Sequence, residues 1–171
     1  WPKTFDWTHY GFSLTKIPTL PQNYMNSVVV TLGTVVVATV LSVLAGYVMV
    51  FFNLRGMPVV FAALVASMFF PTRVTAVIAI FETQKDLGLL NVPAGLIFPY
   101  VALSLAISIF VMRGMFQTIP RELFDAARID GSSEFGIYRK IVLPNLGAAL
   151  ATLGIFTFMT AWNDYLWPLI V

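Results

Sequence analysis

Cysteine is absent from the 171 residues and histidine occurs once. No disulfide, thiolate metal site or cysteine nucleophile can be built, and the redox compartment is left open. Charge is also scarce: 11% of residues are Asp, Glu, Lys or Arg and 58% are hydrophobic, whereas ordinary soluble domains carry about 25% charged residues. A net charge of +2 is too small to suggest a nucleic-acid partner. No G-x-x-x-x-G-K-[ST] phosphate loop occurs, so the chain is not expected to bind ATP in that manner. Nor do carboxylate pairs, histidines, or a nucleophile and base converge; catalytic residues and metal ligands are both expected to be none. The single histidine, His9, lies in the N-terminal tail with no visible partner, and a surface role is expected for it.

What is abundant is uncharged sequence. Residues 17–54, 87–112 and 141–163 carry no charged side chain, and a spanning helix needs roughly 20 apolar residues. Spans are expected over 27–52, 93–112 and 144–162, with a further candidate over 58–81 interrupted by Pro71 and Arg73. The fold class expected is therefore all-α, a polytopic helical membrane bundle with four spans. Residues 1–26 read as an external tail and 27–171 as the membrane domain. A small loop over 82–92 carries Glu82, Lys85 and Asp86, most simply as solvated charges, with Gly88 and Pro93 as breakers. The methionines suit packing better than ligation. Neither an initiator Met nor a signal peptide opens the chain, and it stops within apolar sequence, so it reads as an excerpt of a longer protein.

Four spans put the tail and the 82–92 loop on one side. The other side holds Arg55, Arg113, Arg121, Arg128, Arg139 and Lys140, against Lys3, Lys16 and Lys85 opposite. The positive-inside rule places the richer side, with the 113–143 loop, in the cytoplasm, and sets Trp162, Tyr165 and Trp167 in the outer aromatic belt.

The 113–143 loop is punctuated as two short helices. Pro120 suits a first helical turn, Glu122 suits the positive end of the helix dipole, and Gly131 provides a stop. About ten residues of helix cannot stand alone in water, so this element must pack. Leu123, Phe124 and Ala127 form one apolar side, with Asp125 and Arg128 on others, while Ala126 and Ala127 permit close backbone approach. Phe135, Tyr138 and Val142 then follow helical spacing and would anchor a second element leading to Pro144. Periodicity alone fits an amphipathic loop on the membrane surface equally well.

The run from Glu122 through Asp125, Ala126, Ala127, Arg128, Ile129, Asp130 and Gly131, followed by Ile141-Val-Leu-Pro144, resembles the EAA signature of ABC importer permeases. Similar resemblance to the carbohydrate-uptake branch, of maltose or glycerol-phosphate type, lies in Asn26-Ser27, Gly88-Leu-Leu-Asn91 and the segment from Ala161 to Pro168. The likeness covers nearly all the chain after residue 25. It implies a non-catalytic inner-membrane subunit with no cofactor of its own, ATP and Mg being bound by a partner ATPase. It implies four kinds of partner: cytoplasmic ATP-binding subunits, a second permease subunit, an extracytoplasmic solute-binding protein and the lipid membrane of a bacterial or archaeal cell. Glu122, Asp125, Ala126, Ala127 and Gly131 take the ATPase-coupling role by that resemblance. Asp125 departs from the family's usual Glu by one methylene, which implies a shifted geometry for that contact. The solute would be a sugar or sugar-like; glycerol phosphate, a polyamine or an amino acid stands behind it, and a secondary transporter or channel, which needs no EAA loop, is the rival class.

Three residues are candidates for the pathway. Arg73 is either functional, as a charge inside an apolar segment, or snorkels from the outer half of the bilayer. Asn163 and Asp164 either line the outer mouth or close a helix end.

Overall fold

The computed structural model describes residues 8–52, 54–69 and 76–170. Helix α1 (Thr8–Lys16) leads into α2 (Leu20–Phe51), 32 residues long, with Pro21 in its first turn, where a missing N–H costs nothing. The first span thus begins some seven residues before the expected position 27, inside what reads as tail. Helix α3 (Met57–Ser67) follows a turn in which Gly56 takes φ 92°, then α4 (Val77–Asp86). Among the described residues, the candidate span over 58–81 falls on two helices, of 11 and 10 residues, neither long enough alone to cross a bilayer. Residues 70–75, with Pro71 and Arg73, lie outside the described residues. Glu82, Lys85 and Asp86 are exposed as expected, but on helix α4 rather than in a loop.

Helix α5 (Pro93–Gln117) opens on Pro93 and contains Pro99. After it come α6 (Arg121–Ile129), α7 (Glu134–Ile137), one π-helical turn (Tyr138–Val142), α8 (Leu143–Asn145), α9 (Gly147–Trp162) and α10 (Leu166–Ile170). The last expected span, 144–162, is broken: the helical axis bends by 72° between Asn145 and Gly147. Among the described residues, α2 and α5 are long and apolar enough to cross a membrane, and the bent pair adds a third crossing if it acts as one.

Helices α2, α5 and α9 pack together as the core of the bundle. Small residues set their separation. A Cβ on Gly46 of α2 would stand 3.0 Å from Phe116 and 3.1 Å from Met112 of α5, so only glycine lets the backbones approach so closely here. Two apolar clusters close the ends. Val30, Tyr100, Ala161 and Trp167 form one. Tyr47, Met112, Phe116, Phe124, Ile137, Val142 and Leu146 are among the members of the other, which lies toward the 113–143 loop. The loop and the start of α2 therefore sit at opposite ends of the bundle.

Trp167 departs from its expected place in the aromatic belt, being only 2% exposed. The Asp164 carboxylate accepts a hydrogen bond from the Leu166 amide at 3.0 Å, an Asx turn that folds the chain back after α9 and carries the indole into the core. Trp162 and Tyr165 are exposed, with Trp162 set edge-on to Tyr24 at 5.7 Å.

Candidate functional site: the 113–143 elbow and the outer cavity

Helix α6 is closed at both ends by its sequence. Pro120, with extended ψ of 134°, delivers the chain into the first turn, where Glu122 complements the dipole. At the other end Gly131 takes φ 77°. Its amide donates to the Arg128 carbonyl at 3.0 Å and the Ser132 amide donates to the Ala127 carbonyl at 2.9 Å. This is the paired Schellman geometry, which satisfies carbonyls the helix end leaves free. Ser133 caps α7, its hydroxyl accepting from the Gly136 amide at 3.2 Å. The π turn follows, closed by the Leu143 amide on the Tyr138 carbonyl.

Phe124 and Ala127 are buried, and the Phe124 ring lies 4.2 Å from that of Phe51 at the end of α2. Burying a phenylalanine contributes about 2 kcal/mol, so this contact is a principal anchor of α6. Leu123, expected on the same apolar side, instead faces out, as does Phe135 of the second element; Ile137 and Val142 fill the core there. The helical period sets a stripe but not its edges, and the turn at Gly131 displaces α7 so that Ile137 rather than Phe135 meets the bundle. Glu122, Asp125, Ala126 and Gly131 are exposed, while Ala127 is buried. Of the residues singled out for coupling, four thus present one outward surface, with Leu123 and Ile129 also exposed near it.

Two residues that sequence reasoning passes over hold this elbow. The Tyr47 hydroxyl, on α2, lies 3.1 Å from one carboxylate oxygen of Glu134. The other oxygen accepts from Arg128 Nε at 3.0 Å, and a terminal nitrogen of Arg128 faces Asp125 at 3.5 Å. The hydrogen bond from Arg128 holds the Glu134 carboxyl below its ordinary value, and the same contact raises Arg128. The available signal for Tyr47 was a phenolic hydroxyl two turns before the Arg55 turn, in a segment free of charge.

At the opposite end a cavity of about 500 Å³ opens between the starts of α2 and α5 and the end of α9. Asn23, Asn26, Ser27, Asn91, Trp162 and Asp164 are among its lining residues. All three short segments that carry the carbohydrate-branch resemblance contribute to it. Asn91 reaches it from φ 60°, a conformation asparagine tolerates. Asp164 lines this cavity; Asn163 is exposed and not part of the lining, and Arg73 lies outside the described residues.

The described residues form an all-helical apolar bundle in which two helices, or three if the bent pair acts as one, are long and apolar enough to cross a membrane, and this defines the class as a polytopic helical membrane bundle. The chain belongs to the binding-protein-dependent transport system inner membrane component family, whose model matches residues 38–171. It is 34% identical over 146 residues to the arabinooligosaccharides transport system permease protein AraQ of Halalkalibacterium halodurans, covering 85% of this chain and 51% of that protein. It is 30% identical to the diacetylchitobiose uptake system permease protein NgcG of Streptomyces coelicolor, with 85% and 48% covered. Likewise it is 35% identical to the sn-glycerol-3-phosphate transport system permease protein UgpE of Salmonella typhi, with 86% and 51% covered. The fold is similar to a chain of a bacterial ABC transporter involved in the import of the acidic polysaccharide alginate, with TM-score 0.74, 29% identity, and 84% of this chain and 50% of that chain covered. The chain spans about half the length of these relatives.

Proposed function

We propose that this chain is part of the permease subunit of an ATP-driven importer for a sugar or sugar-like solute, moving as a gate while a partner hydrolyses ATP. The observation that carries the reading is the outward surface of α6. A helix of 9 residues, anchored from behind by Phe124 and Ala127, offers Glu122, Asp125 and Ala126 to solvent beside exposed Leu123 and Ile129. Such a mixed apolar and acidic surface suits a groove on a protein with a basic rim, and Asp125, more than half exposed, has a free side toward an incoming cation.

Two such ATP-binding subunits, closing on ATP and Mg, would displace α6 and rock α2, α5 and α9 as packed bodies between two states. A second permease subunit would complete the pathway, and an external solute-binding protein would deliver solute to the outer end. The outer cavity favours a polyhydroxyl solute, since asparagine amides and Asp164 offer donors and acceptors while Trp162 offers an apolar face. The solutes named for these relatives, an arabinooligosaccharide, diacetylchitobiose and glycerol phosphate, agree in being hydroxyl-rich.

The test is solute uptake by the full-length subunit with its partners in proteoliposomes, using a panel of disaccharides, glycerol phosphate, a polyamine and an amino acid. Uptake of a disaccharide that requires ATP, and that Gly131→Pro and Asp125→Lys abolish in an assembled complex, is the expected result. Uptake independent of ATP, or indifferent to both changes, would replace this reading with a secondary transporter or channel.

A further inference from the structure

We infer that Tyr47 and Glu134 are positioning residues that transmit movement of α6 to α2, an inference that rests on the coupling reading above. The anchor formed by Phe51 and Phe124, with rings 4.2 Å apart, is apolar and non-directional. It fixes where α6 sits but allows it to slide or turn. The polar chain removes that freedom. Both oxygens of the Glu134 carboxylate are engaged, one by the Tyr47 hydroxyl at 3.1 Å and the other by Arg128 Nε at 3.0 Å. Tyr47 itself is 8% exposed and is held between the rings of Phe51, Phe116 and Tyr138, at 5.0 to 6.0 Å. Its hydroxyl therefore has a fixed origin in the bundle.

Arg128 belongs to the last turn of α6, Glu134 opens α7, and Tyr47 belongs to α2, so three elements meet at one carboxylate. Because α2 packs on both α5 and α9, a displacement entering at Tyr47 reaches the whole core. Arg128 is shared between Glu134 and Asp125. A basic partner side chain that takes Asp125 competes with Arg128 there and leaves the guanidinium to Glu134, so docking at α6 tightens the same link.

The experiment uses the full-length subunit with its ATPase and solute-binding partners in proteoliposomes, and reads solute imported per ATP hydrolysed for the native complex, Tyr47→Phe, Glu134→Gln and the double variant. Each single change is expected to lower that ratio about fivefold, the factor corresponding to loss of one hydrogen bond. The double variant is expected to fall no further, because the two groups act as one unit. Unchanged ratios, or effects that multiply, would overturn the inference while leaving ATP-driven uptake by the native complex intact. Absence of ATP-driven uptake in the native complex would instead remove the function on which it rests. A second measurement, should either variant fail to assemble, uses the lack of cysteine in these 171 residues, in a subunit and partners from which any cysteines outside them have been replaced. In a Tyr47→Cys, Glu134→Cys pair, bridging by a reducible thiol-specific spacer should restore coupling and reduction should abolish it; indifference to the bridge would overturn the inference.

Discussion

The Gln84 side chain of α4 donates from Nε2 to the carbonyl of Gly95 in α5, the acceptor that Pro99 leaves without its helical partner. Proline has no N–H to reach back four residues, and a buried carbonyl left unsatisfied is costly. Gln84 is only 4% exposed, and this bond ties α4 to α5. Gln84→Leu should destabilise the bundle by about 1–3 kcal/mol, read from thermal unfolding in detergent. Pro99→Ala, which restores the missing N–H, should make Gln84→Leu nearly harmless; a Gln84→Leu penalty that persists in that background would mean that the amide acts elsewhere.

Gly131 is needed for its backbone rather than its size. At φ 77°, an added Cβ would meet nothing within 4 Å, so any penalty is conformational. Gly131→Ala should cost about 1–2 kcal/mol and expose the 129–133 segment to protease. Gly131→Asn, which tolerates that conformation, should stay near native in the same assay. Equal cleavage of the two variants would point to a contact with a partner instead.

Much of this elbow was legible because proline and glycine act locally: Glu122 and Gly131 behave as their positions alone dictate, while Pro120 stands just before the first turn rather than in it. The link from Tyr47 to Glu134 joins residues 87 apart in sequence, and no local pattern announces such a pairing. Leu123 and Phe124 were indistinguishable by period, since both lie near the apolar stripe; the position of the Phe51 ring decides that Phe124 enters. Trp167 was misplaced because belt composition says nothing of the turn at Asp164 that carries it inward. The spans were read best where charge was absent longest, in α2 and α5, and least well where Pro71 and Pro144 allowed either a kink or a break. Convergence of Asn26, Asn91 and Asp164 on one cavity required the packed helices.

Close approach of α2 and α5 depends on Gly46. Its added Cβ would lie 3.0 Å from the Phe116 ring and 3.1 Å from the Met112 Cβ, and Met112 cannot swing aside because that atom is fixed to the helix. Gly46→Ala should therefore destabilise by about 1–3 kcal/mol, and Gly46→Leu should prevent stable packing of the pair. Gly154 offers the control: its added Cβ would find Val35 at 3.9 Å, an ordinary contact, so Gly154→Ala should be tolerated. Similar unfolding midpoints for Gly46→Ala and Gly154→Ala would contradict the tight crossing.

The Glu134 carboxyl sets a pH dependence whose sign follows from its partners. The Arg128 guanidinium, helped by the Tyr47 hydroxyl, favours the charged carboxylate and lowers its titration below the ordinary glutamate value, while Asp125 faces the other side of Arg128. A folded value below the unfolded one means that the stabilisation is fully present above the unfolded value of about 4.3. It is lost as pH falls through the lower folded value. The unfolding midpoints of native protein and Glu134→Gln in detergent should differ by a constant amount between about pH 5 and 7, and the gap should close below that range. It should also be small and shrink with salt, because the Arg128 and Glu134 side chains are 46% and 52% exposed. A gap that stays constant as pH falls to about 3 would show that the glutamine is disfavoured for its shape rather than for the missing charge.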